Sequence, residues 1–310
     1  MIKMTSSVGE KEKFVLVQQN LEEAEKIEKK SISFWGDAFY RFRQNKLAMF
    51  CVFLLLVLVA MAIFVPWFSK YDYDTNDLMN TNQPPSAKHW FGTDDLGRDV
   101  FVRTWVGARI SLTIGVVAAL IDLLIGVVWG GIAGYKGGRV DEVMMRIADI
   151  LNGIPYLLVI ILFMVVFGQE LWTMILAMTV TGWINMARIV RGQVLQLKNQ
   201  EFVLAARTLG ASFSRILFKH VIPNAMGPIL VTLTLTIPSA IFTEAFLSFL
   251  GLGLNPPLAS WGTMANEGLP ALEYYPWRLF FPATFICLTM FALNVIGDGL
   301  RDAIDPRLRK

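Results

Sequence analysis

The stretch ISLTIGVVAALIDLLIGVVWGGIA, residues 110–133, contains one charged residue, Asp122, and is long enough to cross a bilayer as a helix. Five further stretches have the same character. The six predicted spans are 47–68, 110–133, 147–167, 171–190, 226–250 and 279–296. Only 17% of the chain is charged, whereas soluble domains carry about 25% charged residues. We therefore predict an all-α, polytopic membrane protein with six transmembrane helices, and we exclude a soluble globular domain.

Lysine and arginine set the expected orientation of these spans, because cytoplasmic loops carry an excess of both. If the N-terminus is cytoplasmic, the inside segments hold 22 of the 28 basic residues. Those segments are 1–46, 134–146, 188–222 and the tail from 297. Both termini are therefore predicted to be cytoplasmic. The first 46 residues lack the early apolar core of a signal peptide, so the first span is expected to be retained as an anchor.

The ends and loops of the chain are polar or interfacial. The stretch 10–30 mixes both charge signs densely and is typical of a solvated helix or arm. After it, Phe34, Trp35, Phe39 and Phe42 fall on one helical face, which predicts a helix in the cytoplasmic headgroup region. The last outside loop is predicted to form a short helix at the membrane surface. The expected regions are a cytoplasmic arm with this interfacial helix at 1–46, the first transmembrane helix with a long extracytoplasmic loop at 47–109, a core domain of five transmembrane helices at 110–300, and a cytoplasmic tail at 301–310.

Polar residues and glycines inside the spans are the candidates for roles beyond anchoring. Ionisable groups are costly in a bilayer and are often functional there. Asp122 and Glu244 therefore either line a pathway or make structural hydrogen bonds. Gly126, Gly130 and Gly134 recur every fourth residue, a stripe of small residues that lets another helix approach closely. We interpret the three glycines as a helix-packing surface, within this protein or against a partner.

Catalytic and metal chemistry find no support in the sequence. Cys51 and Cys287 both lie in predicted spans, so neither a disulfide framework nor a cysteine metal site is expected. The two histidines, His89 and His220, are far apart and outside the spans, which excludes an H-E-x-x-H protease motif. A G-x-x-x-x-G-K-[ST] phosphate loop is also absent, so ATP binding by this chain is not predicted. We expect no catalytic, cofactor or metal residues.

The segment EFVLAARTLGASFSRILFKHVIPNAMGP, residues 201–228, lies on the predicted cytoplasmic side. Phe202, Ala205, Ala206 and Leu209 fall on one face of a short helix, and Gly210 follows where a C-terminal cap is expected. A second short helix restarts after the glycine. The pattern predicts a helix–Gly–helix elbow at 201–220, whose small-residue face suits either a groove in another protein or anionic lipid.

This segment resembles the coupling-helix motif of ABC importer permeases, which reads EAA, three residues, Gly, nine residues, then I-x-L-P. Ala205, Ala206, Gly210 and Pro223 match the motif, and Ile222 replaces its Leu. Two positions depart from it: Leu204 stands at the Glu and His220 at the first Ile. Glu201 lies one turn before Leu204 and is a candidate for the lost polar contact. The resemblance implies that Glu201, Ala205, Ala206, Gly210 and Pro223 couple the chain to an ATPase.

The resemblance covers about 265 residues and includes HWFGTDDLGRDVF, GYKGGRVDEVMMRIAD, EAFLSFLGLG and GDGLRDAIDPR. These phrases are similar to the permeases that import dipeptides, oligopeptides and nickel chelates, and to their second, C-type subunit. The resemblance implies a type I ABC importer permease fold in a bacterial cell membrane. It also implies a homologous six-span permease, two ATP-binding cassette ATPase subunits that hold ATP and Mg²⁺, and a lipid-anchored extracytoplasmic substrate-binding protein.

Two other functions remain open at this point. The same architecture can import nickel or other metal chelates, because the binding protein usually sets the substrate in the resembled family. A more distant alternative is a secondary transporter that works without an ATPase. The lack of an obvious inverted repeat and the presence of the elbow argue against it. An intramembrane aspartyl protease is disfavoured because Val295 replaces the first Gly of a G-x-G-D setting at Asp298.

Overall fold

A computed structural model describes residues 34–305, and all structural statements below refer to that part of the chain. The charged stretch 10–30, the side chain of Phe34 and the last five residues lie outside it. From Ala38 onward the chain forms one compact unit. Its elements are helical, apart from one isolated bridge between Thr93 and Asp99. The helices are α1 Phe34–Gln44, α2 Lys46–Phe68, α3 Val100–Lys136, α4 Gly138–Asn152, α5 Tyr156–Phe167, α6 Leu171–Leu197, α7 Glu201–Thr208, α8 Phe213–Leu252, α9 Trp261–Gly268 and α10 Trp277–Ile304.

Five of these helices are long and apolar enough to cross a membrane: α2, α3, α6, α8 and α10. The pair α4 and α5 makes a sixth crossing if the two are counted together. The all-α, six-span prediction is therefore confirmed. On α2, apolar side chains such as Phe50, Phe53 and Leu56 are exposed, as expected for a helix that faces lipid rather than water.

The helix α3 has 37 residues and is therefore about 55 Å long, well beyond the roughly 30 Å hydrocarbon core of a bilayer. The helix contains the predicted span 110–133 and extends beyond it at both ends. The helix begins after Asp99, whose side chain accepts a hydrogen bond from the N–H of Val102 at 2.9 Å. Hydropathy missed this first part because it carries Arg103 and Arg109. The helix thus projects out of the membrane and supports the outer loops.

The glycine stripe of α3 packs against α6. A Cβ atom on Gly126 would lie 2.6 Å from the Cβ of Met186, and one on Gly134 would lie 2.9 Å from the carbonyl oxygen of Arg191. A Cβ on Gly130 would collide with the backbone of Ala187. The two helices therefore approach as closely as backbones allow, and α6 forms the most extensive helix contact of α3.

The third predicted span, 147–167, is not one helix. It divides into α4 and α5, which meet at an angle of 73°. Gly153 and Pro155 stand at the break, and Pro155 cannot donate the backbone hydrogen bond that would continue the helix. The apolar part, α5, has 12 residues and is about 18 Å long, which is shorter than a bilayer core. Hydropathy alone could not locate this bend.

The helix α8 runs for 40 residues through Pro223, Pro228 and Pro238. A π-helical turn at Ile216–Val221 precedes the first proline, and there the N–H of Ile222 bonds to the carbonyl of Leu217. The Thr232 hydroxyl donates to the carbonyl of Pro228 at 2.8 Å. α8 nevertheless stays continuous across the predicted span 226–250, as membrane helices tolerate internal prolines.

The predicted short helix of the last outside loop is α9. Ser260 and Thr263 cap it reciprocally: the N–H of Thr263 donates to Ser260 Oγ at 3.1 Å, and the N–H of Ser260 donates to Thr263 Oγ1 at 2.8 Å. Trp261 is fully buried, and its indole N–H donates to the carbonyl of Thr104 at 2.9 Å. The helix therefore packs on α3 and α10 instead of lying free at the membrane surface.

Candidate functional site

The predicted elbow consists of α7 and the start of α8. Val203 is the inward anchor of α7, with 0% of its surface exposed, and it packs with Val194, Ile216 and Leu217 in one apolar cluster. Ala206 is partly buried against the same cluster. A single turn of apolar contacts therefore holds α7 on the ends of α6 and α8.

The outward face of α7 is apolar as well. Phe202 is 39% exposed and Leu209 is 88% exposed, with Ala205 exposed between them. Ala206 lies at the inner edge of this face, where it is partly buried against the cluster that contains Val203. At 100° per residue Ala206 lies about 40° from Phe202 and about 60° from Val203. Leu204, in the position of the motif's Glu, is 46% exposed, and Glu201 is exposed in the first turn, where a negative charge is favourable.

Gly210 ends α7 in a Schellman motif. Its φ is +78°, a conformation that favours glycine, and its N–H bonds to the carbonyl of Arg207 at 3.0 Å. The N–H of Ala211 bonds to the carbonyl of Ala206, also at 3.0 Å. These two bonds turn the chain sharply before Phe213. The glycine predicted from the spacing therefore sets the angle of the elbow, while Pro223 lies in the first turn after the π-helical segment.

Two basic residues that the motif does not include, one in α6 and one just after it, connect the elbow region to the rest of the bundle. Arg191 donates to both oxygens of Asp141 in α4, at 2.5 and 2.6 Å. Lys198 donates to the carbonyl of Gly134 at the end of α3, at 2.9 Å. The sequence gives no sign of this role, because the Lys and Arg residues of the predicted cytoplasmic segments are already explained by the orientation of the spans. Only the distance between α4 and α6 reveals the pair.

Glu244 connects three elements. It is fully buried, Ser111 donates to its Oε2 at 2.8 Å, and Ser248 donates to its Oε1 at 2.9 Å. Ser111 also accepts the N–H of Trp261 at 3.2 Å. The carboxyl group therefore ties α3, α8 and α9 together. Of the two roles that the sequence left open for Glu244, these contacts favour structural hydrogen bonding.

Asp122 lies in a different environment. It is buried in α3 against the backbone of Gly182 in α6, where any larger residue would collide with the carboxylate. It also lines a cavity of about 350 Å³ between α3, α5, α6 and α8. Of the two intramembrane carboxylates, Asp122 is thus the one beside open space.

The loops at residues 69–99 and 253–276 form the predicted outer face, and this face carries a network of paired charges. Arg98 donates to Asp94 at 2.6 Å, Arg103 donates to Glu267 at 3.0 Å, and the Arg278 guanidinium lies 3.0 Å from Asp95. These arginines are buried although they lie in or beside the loops. At the edge of this region Asp77 caps a short 3₁₀ turn, and hydrogen bonds from the Asn80 amide and the Met79 N–H lower the pKa of Asp77 below its usual range.

Known proteins similar to this chain are membrane components of transport systems. Residues 126–310 match the family "Binding-protein-dependent transport system inner membrane component", and residues 33–85 match "N-terminal TM domain of oligopeptide transport permease C". The oligopeptide transport system permease protein OppC of Bacillus subtilis is 70% identical over 94% of this chain and 95% of its own length. The dipeptide transport system permease protein DppC of the same organism is 60% identical over 96% of this chain and 93% of its own length.

The fold also matches a solved structure. A chain from an inward facing structure of the MetNI methionine ABC transporter superposes with a TM-score of 0.53 at 18% identity, covering 64% of this chain and 94% of that one. This likeness supports the predicted type I ABC importer permease fold. With a family match over more than half its length and relatives at 60–70% identity, this chain belongs to the binding-protein-dependent transport system inner membrane components, in their oligopeptide transport permease C branch.

Proposed function

We propose that this chain is the C-type permease subunit of an ABC importer that moves oligopeptides or dipeptides across the bacterial cell membrane. It forms the translocation path together with a homologous six-span permease. Two separate ATPase subunits bind ATP and Mg²⁺, and an extracytoplasmic, lipid-anchored protein delivers the substrate. The names of the similar proteins, both peptide transport permeases, support a peptide substrate over a nickel or metal chelate.

The observation that carries this proposal is the exposed apolar face of the elbow. Phe202, Ala205 and Leu209 project outward from a helix that Val203 anchors and Gly210 terminates. Exposed apolar groups on a fixed helix are typical of a surface that another protein covers. We infer that α7 seats in a groove of one ATPase subunit, so that movement of the ATPases is transmitted through α6 and α8 to the membrane helices.

The proposed orientation places α7 and both termini in the cytoplasm. The 22 basic residues of the proposed inside segments support it. The same orientation puts the Arg98, Arg103 and Arg278 network outside, where the delivering protein would dock.

Co-purification of the assembled transporter tests the proposal. We expect Ala205→Arg to abolish association with the ATPase subunits and ATP-driven peptide uptake, because a long charged side chain would stand at the centre of the docking face. Gln196→Arg is the matched control, since Gln196 is exposed near the end of α6 but outside the elbow, and it should leave both intact. Ala206 is unsuitable for this test because it packs inward.

Unchanged association in the Ala205→Arg complex would contradict the coupling role of α7. Peptide uptake by vesicles that contain the permeases without any ATPase subunit would contradict an ABC importer and favour the secondary transporter. Labelling of residues 201–220 from the outside would overturn the orientation.

A further inference from the structure

The cavity beside Asp122 lies at the middle of the membrane-spanning region. Asp122 is near the centre of the stretch 110–133, and Thr236 and Ser239 of the opposite wall are near the centre of 226–250. With a volume of about 350 Å³, the cavity is within the range of small-molecule sites. Transporters commonly hold their solutes at this depth. The cavity is therefore placed where a solute would pass.

Within residues 34–305, one oxygen of the Asp122 carboxylate has no hydrogen-bond partner. Only 6% of the residue is exposed, and its Oδ1 accepts no hydrogen bond from any residue that the structure describes. Gly182 leaves the space that the carboxylate occupies, since a Cβ at that position would collide with both carboxylate oxygens. An ionised carboxylate in a low-dielectric site is costly until a cation or several donors reach it. Residues 34–305 thus supply no donor to the Oδ1 oxygen.

Three threonine hydroxyls of the α8 wall offer acceptors rather than donors, while Tyr156, Asn185 and Ser239, which also line the cavity, can accept as well as donate. Thr232, Thr236 and Thr243 recur at helical spacing along α8, and each donates its hydroxyl hydrogen to a carbonyl of its own helix at 2.8–2.9 Å. Their oxygen lone pairs stay available to a ligand. Among the described residues that line the cavity, none is Lys, Arg or His. A carboxylate facing hydroxyl acceptors suits a group that carries positive charge and several N–H donors.

We propose that this cavity is a transient binding site for a primary ammonium group of the transported solute, with Asp122 as its counter-ion. The inference rests on the proposed transport function and adds a solute contact to it. A peptide has such a group at its N-terminus and on lysine side chains. Asp122 would offset the cost of bringing that charge into the membrane by pairing with it.

Cysteine labelling tests the charge preference of the cavity without any peptide. The background is the full transporter complex with Cys51→Ala and Cys287→Ser, and the reporter is Ser239→Cys, which lines the cavity. The reporter reacts with a cationic ethylammonium methanethiosulfonate and with its anionic sulfonate analogue. Both reaction rates are measured twice, once with Asp122 present and once in Asp122→Asn. We expect the cation-to-anion rate ratio to fall about tenfold in Asp122→Asn, as the loss of one nearby charge predicts. Ser214→Cys on the elbow is the control, and its ratio should not change.

Peptide uptake into vesicles provides the second readout. We expect Asp122→Asn to lower ATP-driven uptake of trialanine about tenfold if the N-terminal ammonium group uses the site. A loss confined to trilysine would assign the site to side-chain ammonium groups instead. If Asp122→Asn left both the labelling ratio and the uptake of each peptide the same as in the unmodified complex, the site would be overturned. If the unmodified complex took up neither peptide, the proposed function itself would be overturned.

Discussion

The predicted outer face and the elbow of this protein differ in whether their side chains find partners within the same chain. Outside, Arg98, Arg103 and Arg278 are buried and paired with carboxylates of the same chain. At the elbow, no ion pair within the described part of the chain joins residues 201–215 to other elements, and Leu209 is almost fully exposed. The outer face is complete in one chain, while the elbow leaves its apolar surface for something else to cover.

The two faces should therefore contribute to different properties, one to the stability of the subunit and the other to its association with partners. A buried charge that loses its partner destabilises the folded state, because it is neither hydrated nor paired. Removing a residue of the outer network should therefore lower the stability of the subunit. Exposed apolar side chains contribute little to the isolated fold, so damage to the elbow should lower association instead. The four changes below test that separation, from the largest expected effect on stability to the smallest.

Removing a buried outer arginine should have the largest effect. Arg103 is 2% exposed, and Arg103→Ala would leave a cavity while Asp94 and Glu267 keep only Arg98 as an arginine partner in this network. We expect a loss of about 2–5 kcal/mol from the lost packing and ion pairs, seen as a lower midpoint of thermal unfolding in detergent. Arg109→Ala is the control, because Arg109 is exposed and bonds only backbone carbonyls of α2. Equal losses in the two variants would show that the outer network is not what holds this face together.

A matched pair of tryptophans tests the packing of α9. The indole N–H of Trp261 bonds to the carbonyl of Thr104, whereas the indole N–H of Trp105 is buried and has no hydrogen-bond partner in the described part of the chain. Trp261→Phe should therefore cost about 1–3 kcal/mol, and Trp105→Phe should cost clearly less because it removes an unsatisfied donor. Thermal unfolding of both variants checks the order. A larger loss in Trp105→Phe would contradict it.

The elbow's turn should show a smaller, local effect. Gly210→Ala meets no steric obstacle, since no atom lies within 4 Å of the new Cβ, but the left-handed backbone costs about 1–2 kcal/mol. We expect faster hydrogen exchange at residues 201–215 and weaker ATPase association. Gly210→Asn should lose less, because Asn tolerates this conformation better. An unaltered exchange rate in Gly210→Ala would mean that another contact fixes the turn.

The smallest effect on stability is expected at the exposed tip. Leu209→Ser should change the free energy of unfolding by less than about 0.5 kcal/mol while reducing co-purification of the ATPase subunits. The control is Met79→Ser, since Met79 is 90% exposed in the outer loop and should affect neither property. If Leu209→Ser destabilised the subunit and left association intact, the contrast between the two faces would fail.

Some features of this fold could be read directly from residue patterns. Apolar runs located the spans, and the spacing of Ala205 and Gly210 located the elbow, because both signals are local. The break before α5 was missed because Gly153 and Pro155 sit inside an apolar run whose mean hydropathy does not register a bend. The first ten residues of α3 were missed because Arg103 and Arg109 look like loop residues until their partners are known.

Sequence alone determined that this chain spans a membrane, carries no phosphate loop of its own, and presents a Gly-terminated elbow with the spacing of a coupling motif. Those properties depend on the composition and order of neighbouring residues. Only the tertiary structure decided that Ala206 faces inward, that Arg191 pairs with Asp141, and that Glu244 is fully hydrogen-bonded while Asp122 faces an open cavity. The two carboxylates are alike in sequence, but their surroundings come from helices more than fifty residues away along the chain, and only the packing of those helices sets which partners each one meets.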